Sequence, residues 1–250
     1  MGESYDNEIF DLAIVGAGVC GASIARCLSA YTARIVVLEK EEDISFGVSK
    51  ANSGIVHGGF HHAANSLKAQ LELQGGLMFD RLHRELGFPF TRCGIIVAAR
   101  SEEEMQSIQA LWQRGRENGV IGIEICSQER LKMLEGQLSP DIIGGLYAPG
   151  GGIVEPYRFV FALMENALQN GVRLLHSFKL IAGERAKGIW TLKGEDGRSI
   201  QARWLVNAAG LYADEVSAAV GGEVFTIKPR KGEYLLLDRL ANSKPSKVVF

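Results

Sequence analysis

An α/β fold built on a parallel sheet is predicted by three observations. The apolar run Leu12 to Val15 has the all-apolar character of a strand buried on both faces. Gly16-Ala17-Gly18-Val19-Cys20-Gly21 follows at once and opens a helical stretch. A second apolar run, Ile35 to Leu38, ends on Glu39.

The spacing gives each of these residues a physical task. Gly16 permits a tight turn, Gly18 lets the backbone approach a pyrophosphate, and Gly21 lets the helix pack close to the strand. The helix N-terminus offers unpaired N–H groups and the positive end of its dipole to phosphates. Glu39, at the end of the second strand, can accept hydrogen bonds from both hydroxyls of a ribose. The arrangement therefore predicts a dinucleotide site. A glycine-rich turn that only packs helix on strand would leave Glu39 without a role. This stretch does not select among dinucleotides.

Composition narrows the class. The 250 residues are 46% hydrophobic and 22% charged, ordinary for a globular protein of one or two domains. A net charge of −2, with signs mixed along the chain, gives no electrostatic case for nucleic acid. The four cysteines form no CxxC and no Cys/His cluster, so no metal site is expected. They fit a reducing, cytoplasmic compartment. Cys20 and Cys27 are expected to pack as small apolar groups of the first helix. The polar, acidic opening MGESYDNEIFD does not read as a secretory signal, and no apolar stretch is long enough for a transmembrane segment.

Asp43 to Ala64 is a long segment rich in Gly, Ser and Asn that carries three of the five histidines. Its apolar residues (Ile44, Phe46, Val48, Ile55, Val56 and Phe60) predict a folded, ligand-facing loop. Ser66 to Gly87 reads as a helix with the stripe Leu67, Leu71, Met78, Phe79, Leu82 and Leu86, stopped by Gly87. Gly75 and Gly76 within it predict close backbone packing or a break. Thr91 to Ala99 reads as a strand. Glu102 to Asn118 reads as an amphipathic helix with Met105, Ile108, Leu111 and Trp112 inward, and Gln128 to Leu134 as a short helix. Ile143 to Ala148 is a strand before the turn Pro149 to Gly152. A helix from Pro156 to about Gln169 is apolar almost all round and expected to be buried.

Val172 to Leu175 returns as a short strand. Phe178 to Ala182, Gly188 to Lys193 and Ser199 to Ala202 read as an antiparallel meander, with Asp196-Gly197 as a hairpin turn. Trp204 to Val206 reads as a buried strand running into Asn207-Ala208-Ala209-Gly210. Ile227 to Leu237 reads as another strand, and Lys244 to Phe250 as the start of one more.

Three segments, GAGVCG with Glu39, SKANSGIVHGG and LVNAAGLYAD, give the chain a resemblance to the FAD-dependent oxidoreductases of the D-amino-acid oxidase superfamily. GGIVEPYRF and IKPRKGEYLLLD resemble its anaerobic-type glycerol-3-phosphate dehydrogenase branch, with the L-2-hydroxyglutarate dehydrogenases near by. The resemblance implies a Rossmann-like FAD-binding domain of the glutathione-reductase type with a second, mixed α+β substrate domain. It implies residues 1–87 and 172–220 for the first and 88–171 and 221–250 for the second. Members of that branch are much longer, so a chain truncated at its C-terminus is expected.

The resemblance implies site residues as well. Gly16, Gly18 and Gly21 would hold the FAD pyrophosphate, Glu39 the adenosine ribose, and Lys40 would lie beside the adenosine. Ser49, Asn52, Ser53 and Gly54 would bond the pyrophosphate and ribityl chain. Ile55, Val56 and His57 would line the flavin ring. Leu180 would meet adenine through its backbone, and Ala208, Ala209 and Gly210 would pass close to the flavin. It also implies a small anionic substrate, either glycerol 3-phosphate or L-2-hydroxyglutarate, with an amine or amino-acid oxidase as a further alternative. The electron acceptor would be a quinone or a partner subunit, with peripheral contact at the inner face of the membrane.

Oxidising a secondary alcohol needs a base for the hydroxyl proton and cations for the anionic group. His57 is the candidate base; its alternative role is to hydrogen-bond flavin or backbone. His61 and His62 read as exposed loop residues, or one of them faces substrate. Arg230 and Lys231 either grip the anion or form a solvated basic turn. Tyr234 reads as packing. An NAD(P) enzyme would leave SKANSGIVHGG and LVNAAG without a role, and Glu39 would repel the extra phosphate of NADP.

Overall fold

The computed structural model describes residues 8–238 and 244–250; the opening residues 1–7 and residues 239–243 lie outside that range. The elements begin with β1 (Ile9–Val15), α1 (Val19–Leu28), β2 (Ile35–Leu38), β3 (Ile55–Val56) and α2 (Leu67–Leu86). Then come β4 (Phe90–Thr91), β5 (Ile95–Ala99), α3 (Glu102–Glu117), β6 (Glu124–Ser127), α4 (Gln128–Leu134), β7 (Gly144–Ala148) and β8 (Gly152–Val154). The rest are α5 (Pro156–Gln169), β9 (Arg173–Leu175), β10 (Leu180–Ala186), β11 (Ile189–Gly194), β12 (Ser199–Asn207), α6 (Ala213–Ala219) and β13 (Val248–Val249).

Contacts divide the chain into two compact units, residues 1–52 with 156–233 and residues 53–155 with 234–250. The expected division at 87/88, 171/172 and 220/221 falls elsewhere. The reason is local pairing: β3 ladders with β8 inside the second unit, and α5 packs on α1 inside the first.

The first unit is one six-stranded sheet in the order β10-β11-β12-β1-β2-β9. β12, β1, β2 and β9 run parallel, and β10, β11 and β12 form the antiparallel meander. Trp204 to Val206 is therefore not a separate return strand but the second half of β12. Trp204 is 67% exposed rather than buried. The core gathers Phe10, Ala13, Val15, Val36, Leu38, Leu175, Phe178, Leu192 and Ile200. α1 turns Gly21, Ala22 and Ala25 inward. That choice of face leaves Cys20 and Cys27 exposed, against the expectation that they pack.

The second unit holds a four-stranded sheet, β13-β5-β7-β6, and a three-stranded one, β3-β8-β4. Phe60, Ile95, Ile108, Val120, Ile123, Leu146 and Ala148 fill the core beneath α3. α2 has the bounds its signals predict. The Ser66 hydroxyl accepts from the Ala69 N–H, and Gly87 adopts φ 72° as a left-handed C-cap. The helix runs unbroken through Gly75 and Gly76. Its apolar stripe is buried only in part: Leu82 is 7% exposed, whereas Leu67 and Leu71 are 69% and 58%. The expected strand 91–99 is broken at Gly94, which takes φ 82°. The expected strand 227–237 is not formed, because its backbone finds no ladder among the described residues; Tyr234 is 62% exposed rather than packed. Among the described residues no helix is long and apolar enough to cross a membrane.

Glu135 anchors the last strand. The residue is 3% exposed. Oε2 accepts from the Ser246 N–H and hydroxyl and from the Lys247 N–H, and Oε1 accepts from the Gln137 N–H. Burial alone would raise its pKa, but these hydrogen bonds outweigh it and hold the carboxyl below its ordinary 4.5. A depressed folded value contributes stability that is present above 4.5 and lost as the pH falls through it. Glu135→Gln is expected to lower the urea midpoint at neutral pH, by an amount worth about 1–3 kcal/mol. The gap to the parent should narrow in midpoints measured below pH 4.5.

Candidate functional site

In the first unit three backbone segments converge at the end of β1. Gly16 turns with φ 102°, and a Cβ there would lie 2.5 Å from the Ala208 carbonyl oxygen. A Cβ on Gly21 would lie 1.8 Å from the Gly16 oxygen, so only glycine lets α1 close on the turn. The Ala208 N–H donates to the Val15 carbonyl at 2.9 Å, which ties the two strand ends together. Ala209 N–H donates to Asn207 Oδ1, and Asn207 Nδ2 donates to the Ala213 carbonyl. Gly210 follows with φ 58°.

The start of α1 carries no cap from Gly18. Instead the Ser49 hydroxyl accepts from the Val19 N–H at 2.9 Å, and a Cβ on Gly18 would stand 3.0 Å from that hydroxyl. Asn52 closes the loop behind it, donating to the carbonyls of Val48 and Ser49 at 3.0 Å each. Glu39 is buried. Its Oε2 accepts from the Ala17 N–H at 2.7 Å and its Oε1 from the Glu41 N–H at 3.0 Å. A carboxylate has about four acceptor positions, so both oxygens keep capacity for a ribose. Lys40 pairs with Glu41 and lies 4.5 Å from the centre of the Tyr212 ring. That hydrogen bond raises its pKa against a smaller lowering by burial. Leu180 opens β10, two residues after Phe178, whose N–H donates to the Glu39 carbonyl at 2.8 Å.

The sequence reading missed Ser45. It is 2% exposed with φ 64°, its N–H donates to the Ala17 carbonyl, and its hydroxyl has no hydrogen-bond partner among the described residues. A phosphate-bearing cofactor fits this set. Glycines clear the approach, the first helical N–H meets a hydroxyl, and a carboxylate stands at the end of β2.

In the second unit, Ser53 is exposed and Gly54, with φ 66°, accepts from the Val154 N–H at 2.8 Å. Ile55 and Val56 pair with Ile153 and Gly152 across β8. His57 leaves that ladder with its imidazole exposed, edge-on to His61 at 4.8 Å and stacked with Phe250 at 6.3 Å. His61 and His62 are half-buried, not exposed loop residues. The loop folds back because Phe60 is fully buried and draws its neighbours in. Burial first, and then electrostatic repulsion from the neighbouring His57, push the His61 pKa below its ordinary value. Its Nε2 is buried without a partner among the described residues. His62 Nε2 lies 3.2 Å from Glu72 Oε2. Arg230 is exposed, and Lys231 pairs with Glu233 at 2.8 Å; the strand expected to follow them is absent.

The profile of the family described as "DAO: FAD dependent oxidoreductase" matches residues 11–249. The chain belongs to this family. Its mixed α/β fold is the one the motifs implied. The glycerol 3-phosphate dehydrogenase of Caloramator mitchellensis is 40% identical over 97% of this chain and 50% of that protein. Human mitochondrial L-2-hydroxyglutarate dehydrogenase is 32% identical over 94% of this chain and 53% of that protein. Dithionite-reduced L-α-glycerophosphate oxidase from Mycoplasma pneumoniae with FAD bound superposes with a TM-score of 0.83 at 27% identity. The match covers 88% of this chain and 59% of that one. The chain thus spans about half the length of the curated relatives it matches.

Gly16→Ala tests the cradle. A side chain at a φ of 102° facing the Ala208 carbonyl is strained by about 1–3 kcal/mol. The expected result is a roughly 10–100-fold weaker FAD dissociation constant in a flavin fluorescence titration.

Proposed function

We propose that this FAD-dependent dehydrogenase oxidises the secondary alcohol of glycerol 3-phosphate to the ketone, dihydroxyacetone phosphate. The observation that carries the substrate is the 40% identity, over 97% of this chain, to a glycerol 3-phosphate dehydrogenase. The Mycoplasma pneumoniae glycerophosphate oxidase supports it with a TM-score of 0.83.

Bound FAD supplies a two-electron acceptor for the hydride on the alcohol carbon. The residues of this chain do the rest. Gly16, Gly18, Gly21 and Ser49 hold the pyrophosphate at the start of α1, and Ala208 passes close to the flavin. Glu39 holds the ribose, Lys40 and Leu180 the adenosine end, and Ala209 and Gly210 leave room for the ring. Asn52, Ser53 and Gly54 bond the ribityl chain, and Ile55 and Val56 present an apolar surface. His57 takes the hydroxyl proton at an imidazole nitrogen as the hydride departs. Arg230, with its planar fork, and Lys231 are the cations this reading assigns to the anionic group.

L-2-hydroxyglutarate is the second reading, supported by the 32% identity to the human enzyme. A carboxylate and a phosphate ask the same of a cationic fork, so one base and one cation pair serve either. The same reading puts the enzyme in the cytoplasm, at the inner face of the membrane, passing electrons to a quinone or a partner subunit.

Anaerobic bleaching of the flavin absorbance by each substrate, in the full-length enzyme, tests the proposal. Glycerol 3-phosphate is expected to bleach it within the mixing time of a stopped-flow experiment, and L-2-hydroxyglutarate far more slowly. The reverse order selects the second reading, and bleaching by neither sinks both. His57→Gln is expected to slow the bleaching by roughly 10²–10⁴-fold with FAD retained.

A further inference from the structure

The loop that carries His57 is held by residues that no motif includes. Phe60 is fully buried and reaches α3 at Gly115, where a Cβ would lie 3.1 Å from the Phe60 Cβ. Three loop carbonyls point at the last turn of α3. Arg114 donates to the His61 carbonyl at 2.8 Å. Asn118 Nδ2 donates to the Gly59 carbonyl at 2.9 Å and to the His62 carbonyl at 3.1 Å. From α2, Glu72 Oε1 accepts from the Gly59 N–H at 2.9 Å while Oε2 faces His62. The loop has little slack of its own. Gly59 takes φ 84° with a would-be Cβ 2.9 Å from Val120, and a Cβ on Gly58 would meet Ala148 at 3.0 Å.

We propose that Arg114, Asn118 and Glu72 are positioning residues that fix the backbone of the loop 57–62 and thereby aim the His57 imidazole. The geometry argues for this on three counts. Carbonyls drawn inward by a buried neighbour need donors, and here side chains supply them where a sheet ladder does not. Residues 114, 115 and 118 share one face of a helical turn, so one rigid element holds all three carbonyls. His61, whose carbonyl Arg114 holds, stands edge-on to His57, so a shift of the loop removes the surface against which His57 rests. A displacement of about 1 Å in a proton-accepting group costs on the order of 10²-fold in rate. The mechanistic half of this inference rests on His57 being the base; the clamp itself does not.

The experiment uses the full-length, FAD-loaded enzyme with Asn118→Ala, Arg114→Met, Arg114→Lys and, as a control on the exposed face of α3, Gln113→Ala. Two readouts are taken: the imidazole proton resonances of His57 and His61, assigned with His57→Gln and His61→Gln, and the limiting rate of anaerobic flavin bleaching. In N118A and R114M both imidazole resonances are expected to move and broaden. The bleaching rate is expected to fall roughly 10²-fold with substrate affinity and the FAD spectrum unchanged. R114K should recover most of the rate, and Q113A should match the parent. Unmoved resonances in both N118A and R114M overturn the clamp, whatever the rates do. Moved resonances together with a parent-like rate in H57Q would instead remove His57 as the base and leave the clamp standing.

Discussion

The first unit depends on one close approach, that of the Gly16 turn to the Ala208 carbonyl. β1 and β12 are parallel neighbours, with Val15 opposite Asn207, so the chain leaves both strands at the same edge. Two exits side by side leave no room for a side chain on the turn, and a Cβ at Gly16 would sit 2.5 Å from that oxygen. Gly21 then brings α1 down onto the turn, and the Val19 N–H at the start of α1 meets the Ser49 hydroxyl. Glu39 braces the turn from the β2 side through the Ala17 N–H. The cofactor binding proposed for this unit would thus be mainly a property of backbone, created by where a parallel sheet ends.

The second unit solves a different problem by different means. Its loop from His57 to His62 runs outside any ladder, and its inward carbonyls are met by Arg114, Asn118 and, on the N–H side, Glu72. Arg92 does the same for the turn before β8. It pairs with Asp80, donates to the carbonyls of Gly76 and Gly150, and holds the Asp80 carboxyl below its usual range, chiefly through its hydrogen bond. Side chains that bind backbone replace the sheet as the source of order. Such order depends on individual residues in a way that a glycine turn does not.

This contrast explains what was legible in the sequence. The βαβ unit, the helix from Ser66 to Gly87 with its Gly87 stop, the α4 bounds and the Asp196-Gly197 hairpin all rest on local rules, and each stands where those rules put it. Periodicity marks an apolar face but not what covers it. Leu67 and Leu71 therefore stand exposed where a buried stripe was expected, and Cys20 and Cys27 lie on the outer face of α1. Strand propensity at 227–237 was real in the residues but needs a pairing partner to become a strand. The turn geometry at Gly16, Gly18 and Gly21 and the place of Glu39 at the end of β2 could be read because backbone geometry imposes that spacing. The contacts of Ser45, Arg114 and Asn118 could not, since they reach across tens of residues. Only Gly115, a buried glycine near the end of a helix, hinted at close packing there.

A cradle made of backbone and a proposed base held by side chains can change independently. In the proposed function, glycines at 16, 18 and 21 would serve FAD whatever alcohol is oxidised, and relatives named for glycerol 3-phosphate and for L-2-hydroxyglutarate both align with nearly the whole of this chain. Both substrates present a secondary alcohol and an anionic end. Both therefore need one proton acceptor and a cationic fork, and they differ in the distance between the two. Selecting one over the other calls for moving a cation or the imidazole by an ångström or so and leaves the cradle untouched. A loop fixed at five points by α2 and α3 is where the proposed function would make such a shift, because changing the helix residues that grip it would move the His57 imidazole without altering the chemistry proposed for it.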